Sequence, residues 1–158
     1  MGRRIPPGRR VAVRVCLVAL ATTQVVVGVW ALFAPSGFYR GFPSAGHAWV
    51  ALLPPFNEHL VRDVGALSLA LTVVLVGAAI WPQRLLVRLA VIAFAVYAVP
   101  HTIFHGLHLD GFGPADAVAQ MAGFGVQVLL IIVLLILSAG PADDTEEHGP
   151  RRPNEDLG

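Results

Sequence analysis

The chain has 158 residues, of which 56% are hydrophobic and only 13% charged, with a formal net charge of +1. Soluble domains carry about a quarter charged residues and must cover a large exposed surface with polar groups. This composition excludes an ordinary water-soluble domain and makes lipid the expected solvent.

All 11 basic residues are Arg, and Arg3, Arg4, Arg9, Arg10 and Arg14 crowd the start. A basic arm can serve nucleic acid, but no folded polar domain or aromatic platform accompanies it. Nucleic acid is therefore excluded as a partner, and the arm reads as a membrane-topology signal. The lone cysteine, Cys16, rules out an internal disulfide or a CxxC redox pair. In apolar surroundings it is a packing or lipid-facing thiol.

In chain order, residues 1–14 form a basic cytoplasmic N-terminus, residues 15–139 a transmembrane domain, and residues 140–158 a disordered tail with little apolar surface to bury. The first apolar run covers about 15–34. Some 20 residues at ~1.5 Å each cross a ~30 Å hydrocarbon core. The run exceeds the ~7–15 residues of a signal-peptide core and lacks a good A-x-A site, which favours a retained helix. Residues 35–57 are rich in Gly, Pro and aromatics. Pro54-Pro55 forbids a continuous helix there, and Phe38, Tyr39, Phe42 and Trp49 suit the headgroup layer. Further spans follow at about 59–81, 85–107 and 116–138. The second and third are joined by Trp81-Pro82-Gln83-Arg84, so they must be antiparallel neighbours. Pro114 and Asp116 mark the start of the fourth. The expected fold is an all-α membrane protein, a four-helix up-down bundle.

Arginine placement gives the orientation. The first segment is strongly basic, Arg40 stands alone in the second, and Arg84 and Arg88 lie at the next turn. The connection between the third and fourth spans has none, and Arg151 and Arg152 are in the tail. By the positive-inside rule both termini are cytoplasmic. Glu58, His59, Arg62, Asp63, His101, His105, His108, Asp116 and Gln120 then gather in one outward-facing layer.

At ~100° per residue, His101, His105 and His108 share one helix face, and His59 and Asp63 stand one turn apart. Pro100 should free the Val96 carbonyl. Buried charge is costly in a membrane, so Arg62 and Asp63 are expected to turn inward as a structural ion pair. Gln24 and Gln127 read as interhelical hydrogen-bond partners, and Gly123 and Gly125 as points of close helix approach. His47 and His148 receive no role.

Three chemistries suit the layer. His101 and His105 with His59 or Asp63 form a metal-ligand set for zinc or another divalent ion. His59 and a third-span histidine could be axial haem ligands, although no second histidine layer exists to complete an electron path. The layer could also be a pocket for a small ligand or proton, with His and Asp titrating. No Ser-His-Asp spacing, phosphate loop or HExxH indicates an enzyme.

The series Arg62-Asp63-Val64-Gly65-Ala66-Leu67-Ser68-Leu69-Ala70, Trp81-Pro82-Gln83-Arg84 and His101-Thr102-Ile103-Phe104-His105 resembles small bacterial four-helix membrane proteins of the DoxX-like group. The resemblance covers the second to fourth spans and implies a bacterial inner-membrane location, without an activity or a cofactor. The single cysteine departs from thiol enzymes of the vitamin K epoxide reductase type. The expectation is a small-ligand-binding or accessory protein in the bilayer, acting with a membrane partner or as a homo-oligomer. Its candidate residues are His59, Arg62, Asp63, His101, His105 and His108; the alternative is a metal- or haem-dependent redox protein.

Overall fold

The computed structural model describes residues 4–53 and 55–139, so the tail expected to be disordered lies outside the described residues. Five α-helices and one short 3-10 turn follow in order: α1 Pro7–Phe33, α2 Pro35–Gly41, the 3-10 turn Trp49–Leu52, α3 Glu58–Ile80, α4 Arg84–Leu107 and α5 Pro114–Ser138. Helices α1, α3, α4 and α5 are each long and apolar enough to cross a membrane. The chain is a multi-pass helical bundle, with α1 and α4 running one way and α3 and α5 the other.

Local chemistry sets the helix limits. Proline occupies the first turn of α1, α2 and α5, where its fixed φ fits and its missing N–H costs nothing. Asn57 caps α3 by accepting from the Leu60 amide at 3.1 Å, and Pro82 follows its end.

Helix α1 begins at Pro7 rather than near residue 15. Arginine is a good helix former, and the arginines of this stretch have carbonyls to bind. Arg14 Nε donates to Ala79 O at 3.1 Å and Arg9 Nη1 to Ala139 O at 3.2 Å, at the C-terminal ends of α3 and α5. Arg10 Nε donates to Ile5 O at 2.8 Å, and the Ile5 amide reaches Pro82 O at 3.1 Å. Carbonyls without helical partners, at the negative end of the helix dipole, are natural sites for guanidinium groups. The basic segment is thus a clasp across one end of the bundle, here termed the arginine end.

The packed core fills the half nearest that end. Leu17, Leu20, Leu75, Val87, Phe94 and Leu134 are completely buried. Apolar residues such as Val73 and Val96 instead cover the outside, each 72% exposed, as expected of a surface wetted by lipid. Helix α1 packs most extensively against α3, and glycines make that possible. A Cβ on Gly65 would stand 2.5 Å from Leu32 N, and one on Gly28 would stand 2.8 Å from Leu69 Cδ2. Gly123 and Gly125 do not play this part: a Cβ on either would meet nothing within 4 Å. The intimate contact in this bundle is α1–α3, and the glycines of α5 lie elsewhere.

Candidate functional site

At the end opposite the arginines the four long helices surround a cavity of about 630 Å³. Helix α4 contributes Tyr97, His101 and His105 to its wall; α5 contributes Gln120, Phe124 and Gln127; α3 contributes Val61 and Val64; and α1 contributes Gln24 and Val27. Phe38 of α2, Phe42 just past its end and Trp49 of the 3-10 turn close the end as a lid. The lid is an aromatic cluster, with Phe38 and Phe42 ring centroids 4.9 Å apart and Trp30 set edge-on to both.

The lid is joined to α1 at Ala34 and to α3 at Asn57. Its free edge meets the other side of the bundle through His47, whose Nδ1 lies 2.7 Å from Asp116 Oδ1 in the first turn of α5. Gly46 (φ 93°) and Ala48 (φ 50°) flank His47 with left-handed backbone, a conformation costly for alanine. That double reversal carries the imidazole across to α5. A sequence pattern could not find this contact, because His47 sits in an irregular segment without periodicity.

Inside the cavity the i, i+4 spacing on α4 works as expected. The His101 ring stacks on Tyr97 at 5.2 Å and stands 4.5 Å from His105, and both histidines pack on Phe124. His105 is buried, and its Nδ1 donates to Gln120 Oε1 at 3.1 Å. His108 leaves the series because α4 ends at Leu107 and His108 is its C-cap, with φ −128° and ψ 52°. Its ring stacks on Phe104, and its Nδ1 contacts the Phe104 carbonyl at 2.7 Å.

The remaining candidates, His59, Arg62 and Asp63, do not line the cavity. The expected inward Arg62–Asp63 pair is not formed. Arg62 bonds Glu58 at 2.8 Å, one turn back on α3, and donates to the Leu32 carbonyl near the end of α1. Asp63, 53% exposed, faces His59 at 3.3 Å. Glu58 lies on the same helix stripe as Arg62, and an i, i+4 partner is closer than a neighbour in sequence. Arg62 does pin α3 to a neighbour, but through a backbone carbonyl.

Among the described residues no three His, Cys, Asp or Glu side chains come together as a set able to hold a metal ion. Nor are His59 and the α4 histidines placed as facing axial ligands, since His59 is 86% exposed and outside the cavity. Gln24 was expected to bond across helices. It is buried, at 2% exposure, with its side chain within hydrogen-bonding reach of the Tyr97 hydroxyl on α4. Trp49 Nε1 in the lid is within hydrogen-bonding reach of the Asp116 carboxylate, beside the His47 contact.

No family model matches the chain, and neither a curated protein nor a solved structure shows significant similarity to it.

Proposed function

We propose that this chain binds a small, mainly apolar molecule in the cavity beneath the lid, acting as a membrane-embedded binding or accessory protein. The observation that carries the reading is the cavity itself: about 630 Å³ among apolar and aromatic side chains, with a few convergent polar groups. Small-molecule sites span ~300–1,000 Å³ and have this mixture of walls. His101 and His105 serve as polar groups of that site, and Arg62 and Asp63 serve outside it. The arginine clasp supports an orientation with that end and both termini in the cytoplasm and the lid facing outward. The DoxX-like resemblance adds a bacterial inner membrane to the proposal.

Gly123 supplies the test. It lines the cavity, and a side chain there meets open space, so Gly123→Leu should fill the cavity and leave the fold intact. Lid-tryptophan fluorescence of the protein in nanodiscs is titrated with 1-bromodecane, a heavy-atom quencher. Saturable quenching in the wild type that Gly123→Leu abolishes is the expected result. Quenching that rises linearly and identically in both proteins reports only probe dissolved in lipid, and would sink the proposal.

A further inference from the structure

The arginine end carries a second, smaller cleft, at the other end of the bundle from the lid. It measures about 110 Å³, and Arg4, Arg10, Arg14, Trp81 and the Pro82-Gln83 turn form its walls. The backbone explains why three arginines meet there. The segment before α1 lies against the turn between α3 and α4, with Arg4 bridged to Gln83 and the Ile5 amide bonded to Pro82 O at 3.1 Å. Arg10 and Arg14 stand one turn apart on α1 and so share a face, where like charges repel.

Only part of that charge is met within the protein. Arg14 donates through Nε and Nη2 to the Ala79 and Ile80 carbonyls, at 3.1 and 3.5 Å, and Arg10 through Nε to Ile5 O. A guanidinium has more N–H donors than these, so both arginines have donors left. Among the described residues the carboxylates are Glu58, Asp63, Asp110 and Asp116, and all four belong to the lid end. The complement of such a cleft is an anion.

Phosphate is the anion whose oxygens match the guanidinium fork, and the depth of the cleft indicates its source. Trp81 is largely exposed although it forms one wall, and tryptophan at the end of a span sits at headgroup level. The cleft thus opens among lipid phosphates, with room for such a group and none for an acyl chain, which stays in the bilayer. From this we propose that the arginine end binds the phosphate of an acidic phospholipid, held by Arg4, Arg10 and Arg14. A zwitterionic lipid is a poor occupant, because its cation comes up against the same three charges. The bound phosphate relieves the repulsion between Arg10 and Arg14 and ties the segment before α1 to the α3–α4 turn, so it stabilises the fold.

This site is independent of the proposed cavity ligand, and its test needs no cavity probe. Thermal unfolding of the full-length protein in maltoside detergent is followed with dioctanoyl phosphatidylglycerol, dioctanoyl phosphatidylcholine or inorganic phosphate added. A molecule that binds only the folded state raises the midpoint as its concentration rises. Phosphatidylglycerol should do so at about tenfold lower concentration than phosphatidylcholine, within what three arginines near a membrane surface supply. Arg4→Gln should raise the phosphatidylglycerol concentration needed for a given shift about fivefold, the share of one such residue. Arg88→Gln removes the same charge at the same end but outside the cleft, and should leave that concentration unchanged. Each shift is read against the variant's own midpoint, and if Arg4→Gln fails to accumulate the wild-type ranking of the two lipids decides. Equal effects of the two lipids, or equal losses in the two variants, overturn the proposal and reduce this end to a diffuse positive surface. An equal shift with inorganic phosphate at the phosphatidylglycerol concentration overturns the lipid as the source and assigns the cleft to a soluble phosphate.

Discussion

Arg62 and Asp63 are adjacent in sequence and opposite in charge, yet a helix turns neighbours about 100° apart and sends them to different partners. Arg62 ties two helices together through the Leu32 carbonyl, whereas Asp63 joins only an exposed histidine on its own helix. The two truncations should therefore differ. Arg62→Ala should lower the midpoint of thermal unfolding in detergent by several degrees, the effect of losing a charge-assisted hydrogen bond worth ~1–2 kcal/mol. Asp63→Ala removes an exposed pair worth at most ~0.5 kcal/mol and should melt close to wild type. A larger loss in Asp63→Ala than in Arg62→Ala would mean that the pair is buried after all. At this scale the sequence reveals which groups are ionisable and how deep they lie. It does not reveal partners, because the acceptor for Arg62 is a backbone carbonyl thirty residues away, and every residue carries one. The histidines show both sides of this limit. The spacing of His101 and His105 is enough to bring their rings together, since both are inside a regular helix. His108 obeys the same spacing and departs because the helix ends one residue too soon.

Helices pair through small residues in a membrane, where lipid tails are as apolar as leucine and only close packing and hydrogen bonding favour association. Glycines at the right spacing are visible in any such sequence, but which of them meets a neighbour depends on rotation about the helix axis. Gly65 and Gly28 form the α1–α3 crossing, whereas Gly125 faces open space. Gly65→Ala should consequently cost ~1–3 kcal/mol through overpacking against the Leu32 backbone, while Gly125→Ala should be neutral or slightly stabilising by helix propensity. Thermal unfolding in detergent distinguishes them, and equal midpoints would refute the α1–α3 contact. The lid is the element least legible beforehand. Its aromatic content marks residues 35–57 as a headgroup-layer segment, yet nothing in composition indicates that it folds over a cavity or that His47 reaches Asp116. Removing that contact should loosen only the free edge of the lid. Asp116→Asn and His47→Ala should each release 1-bromodecane severalfold faster, since a partly exposed pair of this kind contributes up to ~1 kcal/mol to the closed state. Stopped-flow recovery of lid-tryptophan fluorescence reads the rate directly. Unchanged release in both variants would place the exit path elsewhere.

The whole molecule is unequal along its length: packed at the arginine end, hollow beneath the lid. The first half of that asymmetry follows from residues that the sequence displays openly. Arginines cluster where helices begin and end on one side, and in the fold they bind the C-terminal carbonyls of α3 and α5; in the proposed orientation they also mark the cytoplasmic face. A cavity, by contrast, is volume left over after packing, and no residue type announces it. Topology and stability therefore depend on overlapping arginines, and the two dependences can be separated. Replacing Arg9, Arg10 and Arg14 together by Gln removes the clasp but leaves Arg84 and Arg88 on the same side of the bundle. Since the positive-inside signal is summed over short basic segments, the remaining arginines should still set the orientation. An alkaline phosphatase reporter fused after Gly158 should stay inactive in both the wild type and the triple variant, and one inserted between Asp110 and Gly111 should be active in both. The variant should nevertheless unfold at a lower temperature in detergent, where no membrane potential or insertion machinery acts and only the lost carbonyl contacts can matter. An active reporter after Gly158 in the wild type would reverse the proposed orientation and place the lid in the cytoplasm. An unchanged unfolding midpoint would instead reduce the clasp to a topology signal alone.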